Sequence, residues 1–212
     1  MDNNTLKDTA NTVIDGHVFI KDVDTGEVLL DKHNSINLIN MALAIASLLG
    51  GKSTSGSNNF NIVKVAFGNG GTVIDVNGNI EYKTPNTDTA SGTLYNETYY
   101  KMVDGTDTVN PSENFVEVQE FVGQVYSDVV ITTTLGYTEP DATATNGIQR
   151  AIDDATGDAA SSSGTGSPYI FDEIGLITEA GSYLSHIVFH PIEKSANRKI
   201  QVIYTVRIRA GS

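Results

Sequence analysis

The chain is predicted to be mainly β, an antiparallel β-sandwich or barrel-like domain with one packed helix. Three observations carry that prediction. Short runs rich in Val, Ile, Phe, Tyr and Thr recur along the 212 residues, separated by clusters of Gly, Asn and Asp. The final run, Ile200 to Arg209, alternates Ile200, Val202, Tyr204, Val206 and Ile208 with Gln201, Thr205, Arg207 and Arg209, the period of a strand with one buried face. A single stretch, residues 36–49, has helical spacing instead.

Taken in order, residues 1–13 are polar, with no apolar period to bury, and are expected to form a flexible arm ahead of one β-rich domain, 14–212. "GHVFIKDVDTGEVLLDKHN" predicts a hairpin turning at Asp-Thr-Gly. In the helix, Ile36, Ile39, Leu43, Ala46 and Leu49 share a face, Asn34 or Ser35 can cap the start, and Gly50-Gly51 end it. "FNIVKVAFGNGG" reads as a strand closing in a β-turn where glycine supplies positive φ. Asn-Gly between β-branched runs in "VIDVNGNIEY" predicts a second hairpin. "TLYNETYYKMV" fits helix or strand equally, and Phe115 to Tyr137 reads as two strands broken near Gly123. Residues 138–167 are poor in apolar side chains and predict a long polar loop with one helical turn at Ile148 to Ile152. "YIFDEIGLIT", "YLSHIVFH" and "KIQVIYTVRIRA" complete the sheets.

The formal charge of −13 speaks against nucleic acid as a partner, since phosphate neutralisation needs clustered Lys and Arg. The charge is also segregated. Residues 1–193 hold 8 cations against 26 acids, whereas the stretch after Glu193 has no acid and five cations, Lys194, Arg198, Lys199, Arg207 and Arg209. Such a basic strand can dock on an acidic neighbour or be neutralised by its own body. The longest apolar stretch, "INLINMALAIASLLGG", is shorter than the roughly 20 residues that span a bilayer, so no membrane partner is expected. The amino terminus lacks the basic-then-apolar pattern of a secretory signal, which predicts synthesis in the cytoplasm. There is no Cys, which removes disulfides, thiolate metal sites and Cys nucleophiles.

No catalytic or metal-binding constellation stands out. His186 and His190 are four apart, but on a strand that places them roughly 13 Å from each other, far beyond the reach of one zinc ion. Ile187 replaces the Glu of an HExxH motif, and Pro191 marks His190 as a strand end. Asp22 and Asp24 begin a calcium-loop pattern that fails at Gly26 and His33, so a hairpin turn is the better reading. "FGNGGT" has no following Lys for a P-loop, and no G-x-S-x-G is present. Asp172 and Glu173 are adjacent on a strand and should point to opposite faces. The inward one then needs a partner, for which Arg207 or Lys194 is the candidate. Tyr95, Tyr99 and Tyr100 fit core or interface packing better than a carbohydrate platform. No cofactor is predicted.

The order of four segments carries a resemblance. Phe67-Gly68-Asn69-Gly70 is followed by Leu94-Tyr95-Asn96-Glu97 with Tyr99 and Lys101, then by Phe171-Asp172-Glu173-Ile174-Gly175-Leu176, then by Gly181 to His186 with Pro191 and Lys194. Over residues 34–209 this resembles structural proteins of tailed-bacteriophage virions, and more narrowly the amino-terminal attachment domain of tail-collar fibre proteins. Asp172 departs from that pattern, which has Arg there, and no fibre shaft follows Arg209, so the expectation is an attachment-type module standing alone. The resemblance implies a non-enzymatic virion component, made in the host cytoplasm, that acts by assembly contacts. It would be a small tail, collar or fibre-attachment protein, with head decoration or a free-standing carbohydrate-binding module as alternatives. Its partners would be other virion structural proteins and copies of itself, often as trimers. Tyr95, Tyr99, Tyr100, Arg198, Arg207 and Arg209 are the candidate interface residues.

Overall fold

The computed structural model describes residues 11–51, 59–104, 108–140, 149–151 and 169–211. Among these residues two large antiparallel sheets pack face to face as a β-sandwich with one helix, as the sequence predicts. The first sheet contains β1 (Asn11–Asp22), β2 (Val28–His33), β8 (Phe115–Glu120), β9 (Tyr126–Leu135) and β13 (Ile200–Gly211), in the order β2-β1-β13-β9-β8. The second contains β3 (Ser35–Ile36), β4 (Ile62–Gly68), β7 (Glu97–Met102), β10 (Gln149–Ala151), β11 (Tyr169–Thr178) and β12 (Ser185–Lys194), in the order β10-β7-β4-β11-β12-β3. A separate hairpin joins β5 (Thr72–Ile74) to β6 (Ile80–Tyr82).

The spine of the first sheet is the pairing of β1 with β13, from Asn11 opposite Gly211 to Asp22 opposite Ile200. Alternation sends Val18 and Ile20 of β1, and Val202, Tyr204 and Val206 of β13, inward, where they meet Val65, Phe67, Tyr99, Phe171, Ile187 and Phe189 of the second sheet. Fully burying each such side chain is worth about 1.5–3 kcal/mol, so this layer is the principal source of stability. A smaller cluster of Ala66, Leu94, Ile177 and Tyr183 lies apart from it, with Tyr100 packed against it.

Several expectations change at this level. The strand β1 begins at Asn11, so residues 11–13 of the expected arm pair with the final strand, while 1–10 lie outside the described residues. The helix, α1, runs Leu38–Leu49, because Ser35 and Ile36 pair with β12 as β3 and leave Asn37 as the cap. Its orientation is the reverse of the expected one. Asn40, Met41 and Ala44 face the body, while Ile39, Leu43, Ala46 and Leu49 face outward. Within the ambiguous "TLYNETYYKMV", Glu97–Met102 is strand, and Gln149–Ala151 of the expected helical turn at 148–152 is instead β10, paired with β7. The rest of the long loop, 141–148 and 152–168, lies outside the described residues. Strand β12 continues through Pro191 to Lys194, so His190 is not its end.

Candidate functional site: a buried carboxylate junction

Phe171 and Ile174 are three residues apart, yet both side chains enter the main core. Period-two alternation cannot do this. A register shift between Phe171 and Glu173, where β11 pairs with β12, supplies the irregularity. It turns both intervening carboxylates toward the glycine-rich segment after β4 and the segment before β7. Asp172 is 2 % exposed and Glu173 0 %.

Their partners are not the cations expected from sequence. Arg207 forms a two-point bond with Asp128, both at 2.8 Å, and the Lys194 ammonium donates to the Ser195 carbonyl at 2.9 Å. The carboxylates are instead met by backbone N–H groups. Asp172 Oδ1 accepts from Gly71 N at 2.8 Å, and Oδ2 accepts from Thr72 N at 2.8 Å and from the Thr72 hydroxyl. Glu173 Oε1 accepts from Gly70 N at 3.1 Å and Asn96 N at 2.8 Å, and Oε2 accepts from Tyr95 N and His186 Nε2, both at 2.9 Å.

His186 is 1 % exposed, and its Nδ1 accepts from Asn86 N at 2.8 Å. A backbone N–H can only donate, so the proton of this imidazole sits on Nε2 and points at Glu173. Burial pushes a carboxyl pKa up. For Glu173 the bonds from His186, Asn96 and Tyr95 outweigh burial and hold it below the ordinary value. For Asp172 burial wins over the bonds from Thr72 and Gly71, and the neighbouring Glu173 charge adds to it, so its pKa is raised.

The glycines serve close approach. A methyl group at Gly68 would lie 2.3 Å from the Asn96 carbonyl oxygen, and at Gly70 or Gly71 within 2.9 Å of backbone atoms of Asn96 or Asp172. None of the three has positive φ, so the expected reason for glycine there is replaced by a steric one. Around the junction, Lys83 Nζ donates to the Gly70 carbonyl at 2.7 Å and lies 4.7 Å from the Tyr95 ring centroid. The Tyr95 hydroxyl donates to the Thr84 carbonyl at 2.6 Å. Every strong acceptor position of Glu173 is occupied by protein, and the group has no solvent face, so its chemistry is to fasten loops to the sheet.

The candidate interface residues fall in separate places. Tyr95 is 44 % exposed, Tyr100 is half-buried under Lys64, and Tyr99 is wholly buried beside Phe67, so the three tyrosines form no common platform. Arg198 pairs with Asp22 at 2.8 Å and Glu27 at 3.0 Å, Lys199 with Glu113 at 2.6 Å, and Arg207 with Asp128, so three of the five carboxy-terminal cations are paired within the chain. Arg209 is exposed and lines a shallow hollow with Asp15, His17, His33 and Arg207. His190 is exposed, and its Nδ1 lies 3.2 Å from the Tyr82 hydroxyl. Among the described residues no group of three or more His, Asp and Glu is placed to hold a metal ion. Among them, too, no helix is long and apolar enough to cross a membrane.

Sequence reasoning missed Asn37 and Asn40. Asn37 Nδ2 donates to the Thr89 carbonyl at 2.7 Å, and Asn40 Nδ2 donates to the Ala90 and Tyr183 carbonyls, both at 2.9 Å. Their signal was present as two amides spaced by three, one capping and one inside a helix whose only other polar residue is Ser47. No protein-family model matches the chain, and neither a curated protein nor a solved structure matches it.

Proposed function

We propose that the protein is a non-enzymatic structural component of a tailed-phage virion, a small tail, collar or fibre-attachment subunit that acts through assembly contacts. One observation carries the reading. The four short segments that resemble tail-collar attachment domains are far apart in sequence but meet at one buried junction: Gly70 and Gly71, Tyr95 and Asn96, Asp172 and Glu173, and His186. A signature whose members all fasten loops to a sheet is one a scaffold needs, because it fixes a rigid shape for contact. A catalytic signature would instead leave a carboxylate or imidazole open to substrate.

Immunogold electron microscopy of purified phage particles, with antibody raised to this chain, tests the proposal. Label at the tail, neck or fibre bases is the expected result. Label spread over the head would replace attachment by capsid decoration. A working antibody that labels no particle would overturn the virion reading.

A further inference from the structure

The rotation of α1 about its axis is set by polar contacts. Asn37 N donates to the Leu184 carbonyl at 2.9 Å, and the Asn37 and Asn40 amides reach the Thr89, Ala90 and Tyr183 carbonyls. Buried amides without such partners are costly, so these bonds lock one face of the helix to the body. The opposite face is thereby committed to solvent, and it is aliphatic. Leu38, Ile39, Leu43 and Leu49 are 67 %, 52 %, 52 % and 85 % exposed. At about 100° per residue they share one arc of roughly 140° with Ala42 and Ala46. Together they leave on the order of 500 Å² of contiguous apolar surface, in the upper part of the range of a monomer's largest patch, and such patches are often functional.

We infer that this face of α1 is a self-association surface whose occupant is the same face of a second copy. No single segment outside the described residues has more than two large aliphatic side chains to lay on a stripe of four: 1–10 offer Met1 and Leu6, 52–58 and 105–107 none, and 141–148 and 152–168 one Ile each. A lipid surface is a poor occupant, because the helix has no charged residue to hold anionic headgroups and the chain carries −13. A second copy fits on three counts. The stripe is free of charge, so two acidic bodies can meet there without opposed like charges. Ala42 and Ala46 form a shallow groove beside the Ile39–Leu43 ridge, so a two-fold crossing seats each ridge in the other groove. The patch also supplies the apolar centre of an interface of about 800 Å² per partner, with the polar residues around it as rim.

The inference goes beyond the virion reading and does not rest on it, since the isolated chain decides one and labelled particles the other. Sedimentation velocity of the full chain over a wide concentration range should show a monomer–dimer equilibrium. Leu43→Lys, at an exposed position, should raise the dissociation constant about 30-fold or more while leaving unchanged the circular dichroism spectrum and the melting curve recorded at concentrations where the wild type is monomeric. Because the chain has no cysteine, Ala42→Cys should give a disulfide-linked dimer on mild oxidation, whereas Val118→Cys, exposed on β8, should not. A monomer at every concentration overturns the inference, as does a dimer that Leu43→Lys leaves intact and Ala42→Cys fails to link. A monomer that floats with phosphatidylcholine–phosphatidylglycerol liposomes overturns it in favour of lipid.

Discussion

Replacing Glu173 by Gln keeps the shape of the side chain and removes its charge, which isolates the hydrogen bonding of the junction. The carboxylate accepts four bonds, two at each oxygen. The amide retains one oxygen and turns an NH₂ toward two donors. If that end faces Tyr95 N and His186 Nε2, His186 cannot relieve the conflict by moving its proton to Nδ1, because the Asn86 N–H would then be stranded. Hydrogen bonds to charged groups contribute about 1.5–3 kcal/mol each, so two lost bonds cost about 3–6 kcal/mol before relief of the buried charge. A net destabilisation of about 2–4 kcal/mol is expected, or a melting temperature lower by roughly 5–15 °C at this chain length. Urea unfolding followed by circular dichroism measures it. Acid provides a second check. The Glu173 pKa lies below 4.5 in the folded protein, so its contribution is complete above 4.5 and is lost as pH falls through the folded value. The gap between wild type and Glu173→Gln should therefore narrow in acid. A variant within about 0.5 kcal/mol of wild type at neutral pH, or a gap that does not narrow, would refute the account of the junction.

Other perturbations give different signs and sizes. Gly68→Ala places a methyl against the Asn96 carbonyl and the Glu173 carboxylate, and should destabilise by about 1–3 kcal/mol or more, read from the urea midpoint. Lys101→Met removes the ammonium paired with Glu139, where both side chains are largely buried, and leaves that carboxylate its Gly136 N–H bond, so it should cost about 3–5 kcal/mol; the double variant with Glu139→Leu should recover part of it. Burial pushes Lys194 down to about 8, with Glu139 opposing and Arg198 assisting, so the unfolded chain binds the extra proton between that value and 10.5. Stability contributed at this site then rises with pH across that window, and Lys194→Met should lose that part of the slope in unfolding measured at paired pH values. Asp22 is held at about 2 by the Thr25 N–H, Arg198 and the Asp24 N–H, so a carboxyl titration by nuclear magnetic resonance should show its midpoint well below 3.8, returning upward in Arg198→Ala.

Much of the sheet architecture was legible in local pattern. The hairpin at Asp-Thr-Gly, the Asn-Gly hairpin, the break near Gly123 and the alternation of the final strand are set by turn chemistry and period two, both properties of a few neighbouring residues. Where reading failed, a non-local contact had overruled a local rule. The irregular pairing at Asp172–Glu173 is a relation between β11 and β12, and period-two reasoning has no term for it. Ile36 looked helical until β12 captured Ser35 and Ile36 as an edge strand.

The sequence by itself determined the class of fold, the existence of α1 and the residues that would be scarce in partners: a chain without cysteine, acidic over most of its length. The tertiary structure alone decided the partner of each charge and which way α1 turns. Arg207 finds Asp128 across neighbouring strands, Arg198 reaches Asp22 at the end of β1 from the β12–β13 connection, and Glu173 finds four donors from segments up to 103 residues away. An amphipathic pattern says that a helix has two faces, while the direction in which it rotates depends on what the body offers. Here the body offers the carbonyls of Thr89, Ala90 and Tyr183, so the amides turn inward and the aliphatic stripe outward.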